Sequence, residues 1–198
     1  IFMTRYILLF TLIGLWVGCQ APQDQNEDQE TTEESSLTND TIIPAFPDDF
    51  LGRWSGTLRI WRGDGLAQSV PMQLRIEPVD DSNYTYTIIY GEDEEAGLRD
   101  YMLKPVDAAS GHWYVDEQNG IFLDGYYLGG IFYESFSVMG SRLTASLELR
   151  GDELIYAITS GSEEAVRMSG DTIMDGEEIP PVASYGTNVY QRASLRRQ

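Results

Sequence analysis

From Phe50 onward, polar and apolar residues alternate along the chain. Residues 53–62 read RWSGTLRIWR, with Trp54, Leu58 and Ile60 on one side and Arg53, Thr57 and Arg59 on the other. Residues 68–79 repeat the pattern, Val70, Met72, Leu74 and Ile76 alternating with Gln73, Arg75 and Glu77. A period of two marks strands with one face buried. Pro71 sets the first residues of the second run at an edge or a strand entry, because proline lacks the N–H a central ladder needs. Runs rich in β-branched and aromatic residues follow at 84–90, 98–106 and 112–118. Asn119-Gly120 then divides HWYVDEQ from IFLDGYYL, a strong hairpin signal. Gly129-Gly130, Gly140-Ser141 and Gly151-Asp152 separate IFYESFSVM, RLTASLELR and ELIYAITS, and residues 183–195 supply a last strand. No segment combines helical periodicity with caps.

This meander of about ten strands predicts an all-β fold, an antiparallel up-and-down barrel of about eight to ten strands, since closure removes the exposed edges. A sandwich with the same strand count satisfies the same periodicity.

The N-terminal quarter has a different texture. Met3-Thr4-Arg5 is a short basic start, residues 6–17 are almost wholly apolar, and Gly18-Cys19 follows, holding the only cysteine. The apolar run is shorter than the roughly 20 residues that span a bilayer and matches a signal-peptide core. Ile1 and Phe2 precede the plausible start methionine and are read as an annotation artefact. Residues 20–49 carry acids but no lysine or arginine, and apolar positions are sparse before Ile42. Such a segment cannot offset its chain entropy by burial, which predicts a disordered tether. The expected organisation is a signal peptide over 1–18, an anchored acidic tether over 19–49 and a barrel over 50–195.

Charge narrows the partners. With 32 acidic against 13 basic residues the net charge is −19, which repels phosphate backbones and argues against nucleic acid. The same field repels anionic lipid, so any membrane attachment is covalent or hydrophobic. A single cysteine also excludes an internal disulfide framework.

Two resemblances sharpen the picture. Val17-Gly18-Cys19 resembles the end of a bacterial lipobox, although Trp16 stands where that family usually has an aliphatic residue. The resemblance implies cleavage before Cys19, lipidation of its sulfur and attachment to the outer membrane. The acids that follow Cys19 are similar to an export signal of surface lipoproteins and equally to a plain acidic linker. Gly52-Arg53-Trp54 at the head of the first strand resembles the Gly-x-Trp signature of lipocalin-like, or calycin, barrels. That resemblance implies that Trp54 plugs the closed end, and that a basic residue of the last strand, with Arg192 as the matching candidate, lies across it by cation–π contact.

Candidate chemistry is thin. His112 is the sole histidine; haem-binding barrels of this kind use one such ligand, but a rim position explains it equally. Zinc would need three or four nitrogen or sulfur ligands, so no metal and no cofactor are expected. Asp124 and Glu134 fall on neighbouring strands as a possible carboxylate pair, though outward-facing acids are the plainer reading. Asp171, Asp175, Glu177 and Glu178 in the loop 161–181 do not follow EF-hand spacing and are read as a solvated loop. No nucleophile motif is present, and no enzyme is expected. Tyrosines crowd the middle strands, and Tyr86, Tyr101, Tyr127 and Tyr133 are the candidates for a ligand-binding interior, since tyrosine offers apolar area with a hydroxyl handle. Two functions fit: a lipid-anchored envelope lipoprotein that binds a small hydrophobic or aromatic molecule, or a filled barrel that contacts an envelope partner.

Overall fold

The alternating runs fold as strands, and in the computed structural model, which describes residues 43–198, ten of them close into one antiparallel barrel. They are β1 (Gly52–Arg62), β2 (Gly65–Ile76), β3 (Tyr84–Tyr90), β4 (Leu98–Asp107), β5 (His112–Asp116), β6 (Phe122–Leu128), β7 (Ile131–Val138), β8 (Ser141–Arg150), β9 (Glu153–Ser162) and β14 (Val189–Arg197). Each strand from β1 to β8 pairs with its successor, and β14 closes the ring between β9 and β1. The tight β6–β7 turn needs positive φ at two successive residues, which Gly129 and Gly130 supply at 59° and 93°.

The loop expected over 161–181 is instead an arm of short strands inserted between β9 and β14. β10 (Ala165–Ser169) pairs with β13 (Val182–Tyr185), and β11 (Thr172–Met174) pairs with β12 (Glu177–Ile179). The expected last strand, 183–195, is therefore two. Its first residues belong to the arm, and the barrel strand begins at Val189 and runs on to Arg197.

That extension corrects the basic partner of Trp54. Arg192 lies opposite Arg59 and Ala157, in the middle of β14. It also has the wrong parity, because Ala193 and Leu195 are the buried, inward residues of this strand. Trp54 pairs with Arg197 instead, whose guanidinium carbon lies 4.5 Å from the indole centroid and which donates to the Asp49 carbonyl at 3.0 Å. Trp54 itself is 1 % exposed and donates its Nε1–H to the Phe50 carbonyl at 2.9 Å.

The barrel end around Trp54 is plugged by residues placed in the tether by composition. A 3-10 turn at Asp48–Phe50 carries the buried Phe50 inward. Phe46 stacks on Tyr127 and Phe132, with ring centroids 5.1 and 4.8 Å apart, and meets Trp113 edge-on. The Tyr127 hydroxyl donates to the Pro44 carbonyl. Packed structure thus starts ahead of Phe50. The expected signal peptide, the proposed lipidation site Cys19 and residues 19–42 of the expected tether lie outside the described residues.

Candidate functional site

Above this aromatic plug the inward residues of the barrel are not all apolar. Strand β7 reads IFYESFSV, and Phe132, Glu134 and Phe136 share one parity. The pleat that turns Phe132 into the core therefore turns Glu134 inward too. Its register neighbours are small, Gly125 on β6 and Ala145 on β8. A Cβ on Gly125 would fall 2.2 Å from the Phe132 ring and 3.1 Å from Glu134 Cγ, so glycine there gives both side chains their room.

Glu134 borders an interior cavity of about 140 Å³, whose walls include Tyr86, Ile88, Tyr101, Ala145 and Tyr156, with Glu117 alongside. Glu134 is 7 % exposed, and none of the ion pairs among the described residues includes it. Burial, reinforced by the Glu117 charge, pushes its pKa from the ordinary 4.5 up to about 8. An ionised carboxylate without a partner is costly in such surroundings, so the group holds its proton at neutral pH. It then offers one O–H donor together with acceptor lone pairs.

The opposite walls supply phenols. Tyr86 and Tyr101 face each other in register across β3 and β4. The Tyr86 hydroxyl, buried with its residue only 2 % exposed, has no hydrogen-bond partner among the described residues. Tyr90 and Tyr156 approach hydroxyl to hydroxyl at 3.4 Å. Burial raises the pKa of Tyr86, Tyr156, Tyr90 and Tyr101, so all four remain neutral donors.

The structure divides the four candidate tyrosines. Tyr86 and Tyr101 line the cavity. Tyr127 faces inward but belongs to the plug. Tyr133 does not enter the barrel, because its parity is opposite to that of Phe132 and Glu134, and it is exposed. The same rule separates the carboxylate pair. Asp124 faces outward and contacts His112 Nε2 at 2.7 Å, whereas Glu134 faces inward. His112 stacks on Tyr126 at 4.5 Å on the outer wall, which removes it as an interior ligand. Asp171, Asp175, Glu177 and Glu178 lie along the arm, and among the described residues no cluster of three metal-ligating side chains forms. Two larger depressions, of about 490 and 350 Å³, lie elsewhere: beside Ile43 and Gly129–Gly130, and beside Trp61 and Tyr190.

Glu134 is the residue that the sequence reading misplaced. Its signal was present as one acid on the inward parity of an otherwise apolar strand face.

No protein-family model and no curated protein matches the chain. Solved structures do. One is a protein of unknown function from the DUF3598 family of Nostoc punctiforme, 14% identical, with a TM-score of 0.52 over 76% of this chain and 48% of the other. The chain thus spans about half the length of that protein. Another is the S-type phycobiliprotein lyase of Guillardia theta, 8% identical, with a TM-score of 0.47 over 76% of this chain and 92% of the other. With the closed ten-strand barrel, the first likeness fits a lipocalin-like, calycin-type fold. The expectation that the chain is not an enzyme is corrected here, since one of the similar structures is a lyase by name.

Proposed function

We propose that the chain is a lipid-anchored envelope lipoprotein whose barrel binds one small hydrophobic or aromatic molecule. The observation that carries the binding half is the interior cavity, apolar on most of its wall yet bordered by a buried carboxyl and an unpartnered phenol. A convergence of few polar groups in an apolar hollow is the usual make-up of a small-molecule site. Size sets the ligand scale. At about 140 Å³ the cavity is close to the roughly 150 Å³ hollow that accepts benzene in an engineered protein core, so one ring or a short chain fits. Tyr86 and Tyr101 supply aromatic wall, and their hydroxyls orient a polar substituent.

The anchoring half rests on the apolar run 6–17 and on Val17-Gly18-Cys19. A lipid on Cys19 would hold the barrel at the outer membrane through the acidic segment, since the net charge of −19 opposes adsorption to anionic lipid.

Two experiments test the halves separately. Titration with toluene should give saturable binding that Ala145→Leu weakens by filling the cavity; absence of saturable binding refutes the binding half. Metabolic labelling with a fatty-acid probe should mark the wild-type chain and leave Cys19→Ala unmarked; label persisting on the variant refutes the anchor.

A second reading, contact with an envelope partner, has one observation in its favour. The arm exposes Val166, Met168, Ile173 and Met174 beyond the barrel. Partner capture that survives filling of the cavity but is lost on removal of 165–185 would favour it.

A further inference from the structure

We propose that the cavity takes a small organic cation: a primary amine on a single aromatic ring or short apolar chain, its ammonium against Glu134 and its body between Tyr86, Tyr101 and Tyr156. This rests on the reading of the barrel as a small-molecule binder and adds the ligand's charge type.

The wall chemistry selects among ligands. Among the described residues, the polar side chains that line the cavity are two carboxyls, Glu134 and Glu117, and three phenols, Tyr86, Tyr101 and Tyr156, and none is a cation. An anion would enter against the Glu117 charge and the Glu134 carboxyl, with no cation among the lining side chains of the described residues. A purely apolar molecule would leave the Tyr86 hydroxyl unpaired and would offer the Glu134 carboxyl nothing to bond, at the cost that buried polar groups without partners incur. A primary ammonium brings three N–H donors and no acceptor, which suits a carboxylate flanked by phenolic oxygens. The ring faces of the tyrosines add cation–π attraction. Outside the cavity, the net charge of −19 raises the local concentration of cations and lowers that of anions.

The proton balance follows from the groups that face Glu134. They are Tyr86 and Tyr90 from β3, Tyr101 from β4, Tyr156 from β9 and Glu117 from the β5–β6 turn; the adjoining β6 and β8 positions are Gly125 and Ala145. Arg99 bears on Tyr90 and Tyr101, where it favours their ionised forms. In the free protein at pH 7 the Glu134 carboxyl is protonated, because its pKa is raised to about 8. When the amine enters as its ammonium, the carboxyl gives its proton to solvent and the ion pair forms, so one proton leaves for each ligand bound. Affinity therefore rises with pH, about tenfold per unit, until the carboxyl is ionised in the free protein near pH 8.

The test is calorimetric titration of the full chain with benzylamine, toluene and benzoate at pH 7, in two buffers of different ionisation enthalpy. Benzylamine is expected to bind about tenfold or more tighter than toluene, as a charge-assisted hydrogen bond warrants. About one proton should be released with it, and benzoate should be weakest. Glu134→Gln should remove both the amine preference and the proton release while toluene still binds, which shows that the variant remains folded. Equal affinity for benzylamine and toluene, a preference for benzoate, or an amine preference that survives Glu134→Gln overturns the inference and leaves the barrel a binder of another ligand. Failure of all three probes to bind overturns the binder reading with it.

Discussion

Glu134→Gln should make the protein more stable at neutral pH and remove most of one component of its pH dependence. Wild-type Glu134 is 7 % exposed and its pKa rises from 4.5 to about 8 in the folded protein. Between these values the folded chain holds a proton that the unfolded chain has released, so stability falls as pH rises through this window. The contribution is fully present below about pH 4.5 and lost above about 8. At pH 7 the loss comes to about 3 kcal/mol, and above pH 8 it approaches about 5 kcal/mol, at ~1.4 kcal/mol for each pH unit. Glutamine keeps the shape and carries no charge, so the two proteins should match near pH 4.5 and diverge above it. Against a typical total of about 5–15 kcal/mol this is a large effect. Urea unfolding followed by tryptophan fluorescence, at pH values from 4.5 to 8.5, measures it by linear extrapolation. Parallel wild-type and variant curves, or a variant less stable at pH 7, would show that Glu134 is solvated or paired in the folded protein.

The closed end makes further predictions. Trp54→Ala should cost about 3–5 kcal/mol, as truncation of a fully buried aromatic does. Arg197→Ala should cost about 0.5–1 kcal/mol through the lost cation–π contact, and Arg192→Ala no more than about 0.5 kcal/mol as a surface change. A double-mutant cycle should couple Trp54 to Arg197 by about 0.5 kcal/mol or more and to Arg192 by less; the reverse order would refute the register of β14. Phe46→Ala should lower stability by about 2–3 kcal/mol, seen as a clear drop in Tm, because its ring stacks on Tyr127 and Phe132. An unchanged Tm would return Phe46 to the tether. Gly125→Ala should destabilise by about 1–3 kcal/mol, since its Cβ would meet the Phe132 ring at 2.2 Å; a neutral result would mean that the ring swings aside freely.

What the sequence made legible follows from period and range. Alternation along a strand is local, so β1, β2 and the hairpins from β5 to β9 could be read directly, and ring closure followed from their number. Parity along β7 and β14 is equally local. Counting from Phe132 puts Glu134 inside and Tyr133 outside, and counting back from Leu195 puts Arg192 on the outer face. Register was not available, because pairing Trp54 with Arg197 depends on where β14 starts after the arm. The arm itself resembled a loop, since its strands expose nearly every residue and so lack a buried face to set a pattern. Phe46 was hidden by averaging: one aromatic within an acidic, polar stretch reads as tether until the ring it fills is known.

The barrel interior beside Glu134 is where a small molecule would be received. Nuclear Overhauser effects between bound benzylamine and methyl groups of the full, methyl-labelled chain test it most directly. Contacts are expected from the ligand ring to the Ala145, Ile88, Val115 and Ile158 methyls that line the cavity, all lost when Ala145→Leu fills it. Contacts confined to the outer depressions, such as to the Val189 methyls beside Trp61 and Tyr190, or no contacts at saturating ligand, would contradict it.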